Sequence, residues 1–336
     1  MPAIFQALLP VIVVIACGYM SGRMRWVSAQ GLKDLNQLAF NVLGPALLFH
    51  TLSKVHLEQL DLKPVAMYHA LTLLWFSFWV AVYGLTQRGC MRALAGTYSN
   101  AVMIGIPLIT LAYGPAGQVY IMTLVSVHAL IILTYATLLF ELAAAHEVNK
   151  QGSGQHRQSL SATVFKAMKA AVLHPVSLPA MAGLLFAQTG LTLPAFIDKP
   201  MQWLGAAFSP MALLMVGMQL HQVLGQGLPW KSSNTGQAND APIQWREVLH
   251  IVALKNLLHP LLILAGGWWL DLPLLPMTVM LVTACMPVGI NSYLFATRYG
   301  VVQAEVSVSL SLSVLFALVS VPVMLGLLQL LNGHAG

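Results

Sequence analysis

Apolar residues do not alternate with polar ones along this chain; they run in long blocks separated by short polar breaks. A helix that spans a bilayer needs about 20 mainly apolar residues. Segments 3–22, 34–53, 63–86, 92–113, 117–141, 163–187, 200–224, 246–269, 273–297 and 301–331 meet that measure. The two longest breaks are 142–161 (His146, Glu147, Lys150, Gln155, Arg157) and 225–245 (Lys231, Ser232, Ser233, Asn234, Asp240), both with the residue types of cytoplasmic loops. The pattern predicts an all-α polytopic membrane protein with ten transmembrane helices.

Composition narrows the class further. Of 336 residues, 58% are hydrophobic and only 8% charged, against about 25% charged in an ordinary soluble domain. A soluble enzyme, a nucleic-acid binder and a disordered scaffold are therefore excluded, although the net charge is +6. The basic residues instead mark topology. With the N-terminus outside, 12 of the 16 Lys and Arg fall on the cytoplasmic side and 3 (Lys54, Lys63, Lys199) outside, with Lys255 left within a span. The opposite orientation inverts that ratio. The first segment carries no charge before Arg23 and Arg25, so it reads as a retained span rather than a secretory signal. The expected location is the cell (inner) membrane, with both termini periplasmic.

The chain also repeats itself. Pro10 and Gly18 in the first span match Pro175 and Gly183 in the sixth, and Gly44-Pro45-Ala46 in the second matches Ser209-Pro210-Met211 in the seventh; each proline pair is offset by 165 residues. Tyr113-Gly114 matches Tyr299-Gly300 at an offset of 186, the extra residues falling in the 225–245 loop. Five spans is an odd number, so the halves must lie in opposite orientations. The expected organisation is residues 1–141 as the first five-helix repeat, 142–162 as a cytoplasmic loop and 163–331 as the second repeat. Inverted repeats with paired interrupted helices are the mark of secondary transporters.

The interruptions fall in spans four and nine. Span four reads Ser99-Asn100-Ala101-Val102-Met103-Ile104-Gly105-Ile106-Pro107, and span nine Cys285-Met286-Pro287-Val288-Gly289-Ile290-Asn291-Ser292. Proline removes a backbone donor and clashes with the carbonyl four residues back. The groups so freed need partners that hydrocarbon does not offer, which puts such breaks in a protein-lined cavity. The half-helix after each break presents free N–H groups and a positive dipole end, suited to a carboxylate. Asn100 and Asn291 add neutral donors. Ser99, Asn100, Gly105, Pro107, Pro287, Gly289, Asn291 and Ser292 are the candidate substrate-binding residues. Lys255 joins them, because a cation about 13 Å along the helix from Arg246 is too deep to reach the surface easily. Lys255 and His128, both deep in spans, are the candidates for proton coupling; sodium is the other coupling ion left open.

These residues also carry a family resemblance. Asn100 to Pro107, ending Gly105-Ile106-Pro107-Leu108, resembles the fourth-helix motif of the auxin efflux carrier (PIN-like) family, and Pro287-Val288-Gly289-Ile290 with Phe295-Ala296 resembles its ninth-helix motif. Gly18-Tyr19 with Arg23, Phe40 to Phe49 around Pro45, and Ala212 to Leu220 with Gly217-Met218 extend the likeness over essentially the whole chain. The resemblance implies ten helices in two inverted repeats with broken crossover helices four and nine, a scaffold and a transport domain, and elevator-like alternating access. It also implies a small organic anion held where the broken helices cross, malonate or malate in bacterial permease-like members. The chain departs from the plant carriers in its short 142–161 loop, in Asn291 where they have an apolar residue, and in the absence of Asp or Glu from 63–86.

Other features read as packing. Cys17, Cys90 and Cys285 form no pairing pattern and are expected to be buried thiols. Ser307, Ser309, Ser311 and Ser313 cover two helical faces, as small packing residues do, and His50 and His69 are expected near the outer surface. Neither a cofactor nor a metal site is expected. A secondary carrier of small carboxylates is the leading function, with a passive anion channel and an intramembrane enzyme as the alternatives; no ATP-binding loop, GxSxG or HExxH is present. The oligomeric state is open, a homodimer included.

Overall fold

A computed structural model describes residues 2–55, 61–151, 177–225 and 243–333, with Phe165 and Lys169. Every regular element among them is helical. In chain order these are α1 (Pro2–Arg23), α2 (Ala29–Leu38), α3 (Gly44–Leu52), α4 (Lys63–Tyr83), α5 (Gln87–Ala95), α6 (Ile106–Gln151), α7 (Ser177–Gln188), α8 (Ala195–Gly225), α9 (Trp245–Ala253), α10 (His259–Trp269), α11 (Leu274–Cys285), α12 (Ile290–Tyr299) and α13 (Gln303–Gly333). The front of the predicted span six, His174-Pro175 included, and most of the two long polar breaks lie outside the described residues.

Among the described residues, five helical stretches are long and apolar enough to cross a membrane: Lys63–Tyr83, Ala101–Glu147, Ala195–Gln222, Trp245–Trp269 and Gln303–Leu331. Leu9–Arg23, Ser177–Gln188 and Leu274–Cys285 are shorter apolar helices. The run containing α6 would extend roughly 70 Å if straight, more than twice the hydrocarbon thickness. It is divided at Gly114, whose φ of 60° and ψ of −154° no helix contains. Gly114 sits between the sequence-predicted spans four and five, and Pro115 follows it as the first residue of the new helical stretch.

Among the described residues, three wide π turns interrupt or open the helical ladder, at Ala39–Leu43, Ala101–Gly105 and Leu254–Leu258. Each ends two residues before a proline, Pro45, Pro107 or Pro260. A proline ring collides with the carbonyl four residues back, here that of Asn41, Met103 or Asn256, and all three lie within the widened turn. The extra residue moves that carbonyl aside, as the Gly44 N–H to Ala39 and His259 N–H to Leu254 bonds record. Pro10, Pro210 and Pro322 sit inside helices without such a turn.

The chain forms two compact units. The first comprises Met1–Leu62, Ala101–Ser126 and Leu178–Pro242. Its helices approach closely through glycines. A Cβ on Gly18 would lie 2.1 Å from the Leu214 carbonyl oxygen, and one on Gly217 would lie 2.0 Å from that of Ile15, so α1 and α8 meet backbone to backbone. Gly205 against Leu47 and Gly183 against Phe49 repeat the device for α3. Close backbone approach through small residues is how membrane helices gain packing energy where no hydrophobic effect separates them from lipid. At the end of α3, Lys54 and His50 hold Asp198 of α8 at 2.9 and 3.2 Å. Cys17 is exposed rather than packed, while Cys90 and Cys285 are buried.

The second unit comprises Lys63–Asn100, Val127–Ser177 and Ile243–Gly336. Its core joins Phe76 and Val80 of α4, Met91 and Leu94 of α5, Phe140 of α6 and Phe295 of α12. Thr86 caps α5 through the Gly89 N–H at 3.0 Å, and Arg92 pairs with Glu247 of α9. We expect Gly217→Val to lower the thermal unfolding midpoint of the detergent-solubilised protein, at an overpacking cost of about 1–3 kcal/mol or more. Gly326→Ala, whose new Cβ meets nothing within 4 Å, should leave that midpoint within the range of a neutral surface change.

Candidate functional site

In the second unit the backbone leaves the helical path and runs extended after α5 and again after α11, and these stretches lie against each other. α5 ends at Ala95, and residues 97–100 lead on to the π turn at Ala101. α11 ends at Cys285, and Met286 to Gly289 lead to α12, with ψ of 148° at Met286 and 141° at Gly289. Ser99 and Val288 form an antiparallel bridge. The Asn100 N–H donates to the Pro287 carbonyl at 2.9 Å and the Gly289 N–H to the Tyr98 carbonyl at 2.8 Å. Val288, the remaining donor of the second segment's centre, gives its N–H to Ser313 Oγ at 3.0 Å. The groups that the interruptions release thus satisfy one another, as a site without bulk water requires. Gly289 is needed for the approach, since a Cβ there would come within 2.3 Å of the Tyr98 ring.

The carbonyl end of α11 has its own partners. A helix leaves its last four carbonyls unpaired and carries partial negative charge there. Lys255 donates to the Ala284 carbonyl at 2.5 Å. Asn256 Nδ2 donates to those of Cys285 and Ser313, both at 3.3 Å. The Met286 N–H takes the Thr283 carbonyl at 3.2 Å. Lys255 is fully buried, yet its ammonium sits against a helix terminus that favours a cation. It also lies 3.4 Å from His259 Nδ1, whose Nε2 is 3.1 Å from Thr72 Oγ1. An ammonium only donates, so His259 accepts at Nδ1 and carries its hydrogen on Nε2, toward the threonine.

On the other side of the crossing, α12 starts with Gly289 as an uncapped N-terminal residue. Its first turn offers N–H groups that have no partner within the helix. Asn291 lies in that turn, half-buried, and its amide donates to the Tyr98 hydroxyl at 3.0 Å. Asn100 is likewise half-buried. The Tyr98 ring stacks on His128 with centroids 4.8 Å apart, and Tyr68 Oη lies 3.1 Å from Ser99 Oγ. The arrangement offers neutral donors and a positive helix end to an anion, with Lys255 held behind the α11 terminus.

The structure brings Ser99, Asn100, Pro287, Gly289, Asn291, Ser292, Lys255 and His128 into one unit. Gly105, closing the π turn, and Pro107, in the first turn of α6, belong to the other. Sequence reasoning missed Tyr98, Tyr68 and Ser313. The signal for Tyr98 was its place directly before Ser99-Asn100, whereas Ser313 was hidden in a serine run that reads as packing. His69 is corrected: it is 4% exposed rather than interfacial, with Nδ1 2.8 Å from the Val65 carbonyl.

The family described as "Membrane transport protein" matches residues 3–325. A protein of Rhizobium meliloti (strain 1021) named "Putative malonate transporter" is 25% identical across 100% of this chain and 98% of its own. The "Uncharacterized transporter YfdV" of Escherichia coli (strain K12) is 23% identical over 94% of each chain, and its Shigella flexneri counterpart matches to the same extent. For the crossing itself, Ser313→Ala orphans the buried Val288 N–H and should cost about 1–3 kcal/mol in stability. Ser311→Ala, which removes only a bond back to Ser307, should change it by no more than about 0.5 kcal/mol; denaturation of both variants in one detergent checks the contrast.

Proposed function

We propose a function for this chain from the premise that it belongs to the membrane transport protein family. It is a multi-pass membrane transporter rather than an enzyme. In our reading it is a secondary carrier that moves a small organic anion, a mono- or dicarboxylate such as malonate or malate, by elevator-like alternating access. The observation that carries the reading is the crossing at Ser99 and Val288, with Asn100 and Asn291 beside it and the α12 N-terminus opening there. A carboxylate accepts hydrogen bonds only, and this site is built of donors that carry no full charge. The name of the Rhizobium relative supports a malonate-like substrate.

The proposed frame is ten transmembrane helices as two inverted five-helix repeats, 1–141 and 163–331, joined by the 142–162 loop. Both termini lie on the periplasmic side of the inner membrane, and a homodimer is the proposed assembly. Spans four and nine are the broken crossover helices, with Gly105 and Pro107 shaping the second half of span four. An elevator carrier needs a body that holds its site, and here Ser99, Asn100, Pro287, Val288, Gly289 and Asn291 fall within one compact unit. Saturable uptake with counterflow separates a carrier from a channel.

The test is thermal-shift titration of the purified protein with a panel of mono- and dicarboxylates. Stabilisation follows the concentration of anion relative to its dissociation constant. Asn100→Ala and Asn291→Ala should each weaken binding about tenfold or more, the loss expected of hydrogen bonds to a charged ligand. Full stabilisation in both variants would place the anion elsewhere.

A further inference from the structure

Behind the crossing lies a pair of histidines that the anion site does not use. His69 and His128 are 4% and 3% exposed, and their ring centroids are 5.6 Å apart. The Val65 carbonyl 2.8 Å from His69 Nδ1 only accepts. Nδ1 therefore carries the hydrogen, and the neutral ring turns a bare lone pair out at Nε2. That Nε2 is buried without a partner, and so are both nitrogens of His128. Buried polar atoms are almost always paired. Three unpaired ring nitrogens on two adjacent imidazoles point to a ligand that fills them in part of the working cycle. The smallest that fits is a proton, which turns His69 Nε2 into a donor for His128.

The surroundings decide when that proton can enter. Facing the pair are Tyr68 on α4, Tyr98 beyond α5, and Lys255 and His259 on the π turn and α10. Cys285 lies at the end of α11 near Tyr68 and Lys255. Among the described residues no carboxylate acts on either ring: Glu247 pairs with Arg92, Glu141 accepts from Tyr299 and Glu147 from the Gln87 N–H. The fixed charge closest in kind is Lys255, a cation whose ammonium is committed to the Ala284 carbonyl. A proton on the pair is then a second buried positive charge with nothing opposite. Charge of the required sign arrives with the substrate. Asn291 reaches the Tyr98 hydroxyl and the Tyr98 ring lies on His128, so a carboxylate at Asn291 is one side chain removed from the pair.

We propose that His69 and His128 form a proton-binding site whose occupancy is coupled to that of the carboxylate at Asn100 and Asn291, so that anion and proton travel together. The proposal rests on the carrier reading above and extends it. Linkage is reciprocal: the anion draws in the proton, and the proton tightens the anion, by about tenfold at a separation near 10 Å in a protein interior.

The experiment follows proton uptake in weakly buffered detergent solution near neutral pH, with a pH-indicator dye, as malonate, succinate or acetate is added. Binding is measured separately by calorimetry. For a tenfold linkage the wild type should take up at most about half a proton per anion bound, and the His-15N signals of the labelled protein should move toward the protonated form for one ring of the pair. His69→Gln and His128→Gln should bind about tenfold more weakly and lose the uptake. Binding by the wild type without uptake, or uptake unchanged in both variants, overturns the proposal. If the variants do not fold, wild-type His-15N signals that stay unmoved by bound anion overturn it equally. Failure of all three anions to bind the wild type instead overturns the carrier reading, and this proposal with it.

Discussion

A peptide group inside a membrane has no water to fall back on, and each unsatisfied one costs several kcal/mol. A continuous helix meets that demand within itself. The second unit of this protein departs from the helix after α5 and after α11, and the polar groups around these departures satisfy what they release. Tyr98 and Asn100 trade backbone bonds with Gly289 and Pro287, so each gap supplies the other's partners. Ser313 takes the Val288 N–H, and Asn256 and Lys255 take two carbonyls at the end of α11. Removing any one partner leaves a buried orphan, which is why these polar side chains cluster in so apolar a chain.

The same constraint explains how a fully buried lysine is tolerated. An isolated ammonium in hydrocarbon is expensive, but the carbonyl end of α11 is a concentrated, fixed partial negative charge. Lys255 therefore reads first as a structural cap that holds the interruption open. At the opposite side of the gap the polarity reverses, and the start of α12 presents donors. The interruption is thus polarised: cation-seeking on the α11 side, where the protein supplies its own cation, and anion-seeking on the α12 side, where it supplies only amides.

Much of this was legible in the chain. The apolar blocks located the helices. Pro287 with Gly289 marked the extended stretch after α11, and Pro107 the π turn at Ala101–Gly105, because proline and glycine act locally and their effect needs no knowledge of the fold. Gly114 likewise marked the division of α6. Long-range partnerships were not legible. Ser313 lies 25 residues from Val288, and Asn256 lies 29 from Cys285; nothing in their own neighbourhoods distinguishes them from packing residues. His69 misled for a related reason. It is only six residues from Lys63 at the start of α4, so position suggested the surface, whereas its burial is set by α6 and α10, elements remote in sequence.

For the proposed carrier, the neutrality of the donors is as important as their placement. A site that must release its ligand on the far side of the membrane works with dissociation constants of roughly a millimolar to a micromolar, or about 4–8 kcal/mol. An arginine fork buried opposite a carboxylate would form charge-assisted, bidentate bonds, and breaking such a buried pair leaves an uncompensated charge behind. Empty, that site would have to carry its cation through the apolar interior unpaired. Two amides and a helix terminus carry no net charge, so the empty and loaded states differ by the charge of the cargo and of the proton proposed to travel with it. Lys255 already has the Ala284 carbonyl at the end of α11 as its partner and need not be rebalanced when the anion leaves. A carrier built this way can return empty without dragging an unpaired charge across the membrane, which a site built on a free lysine or arginine could not do.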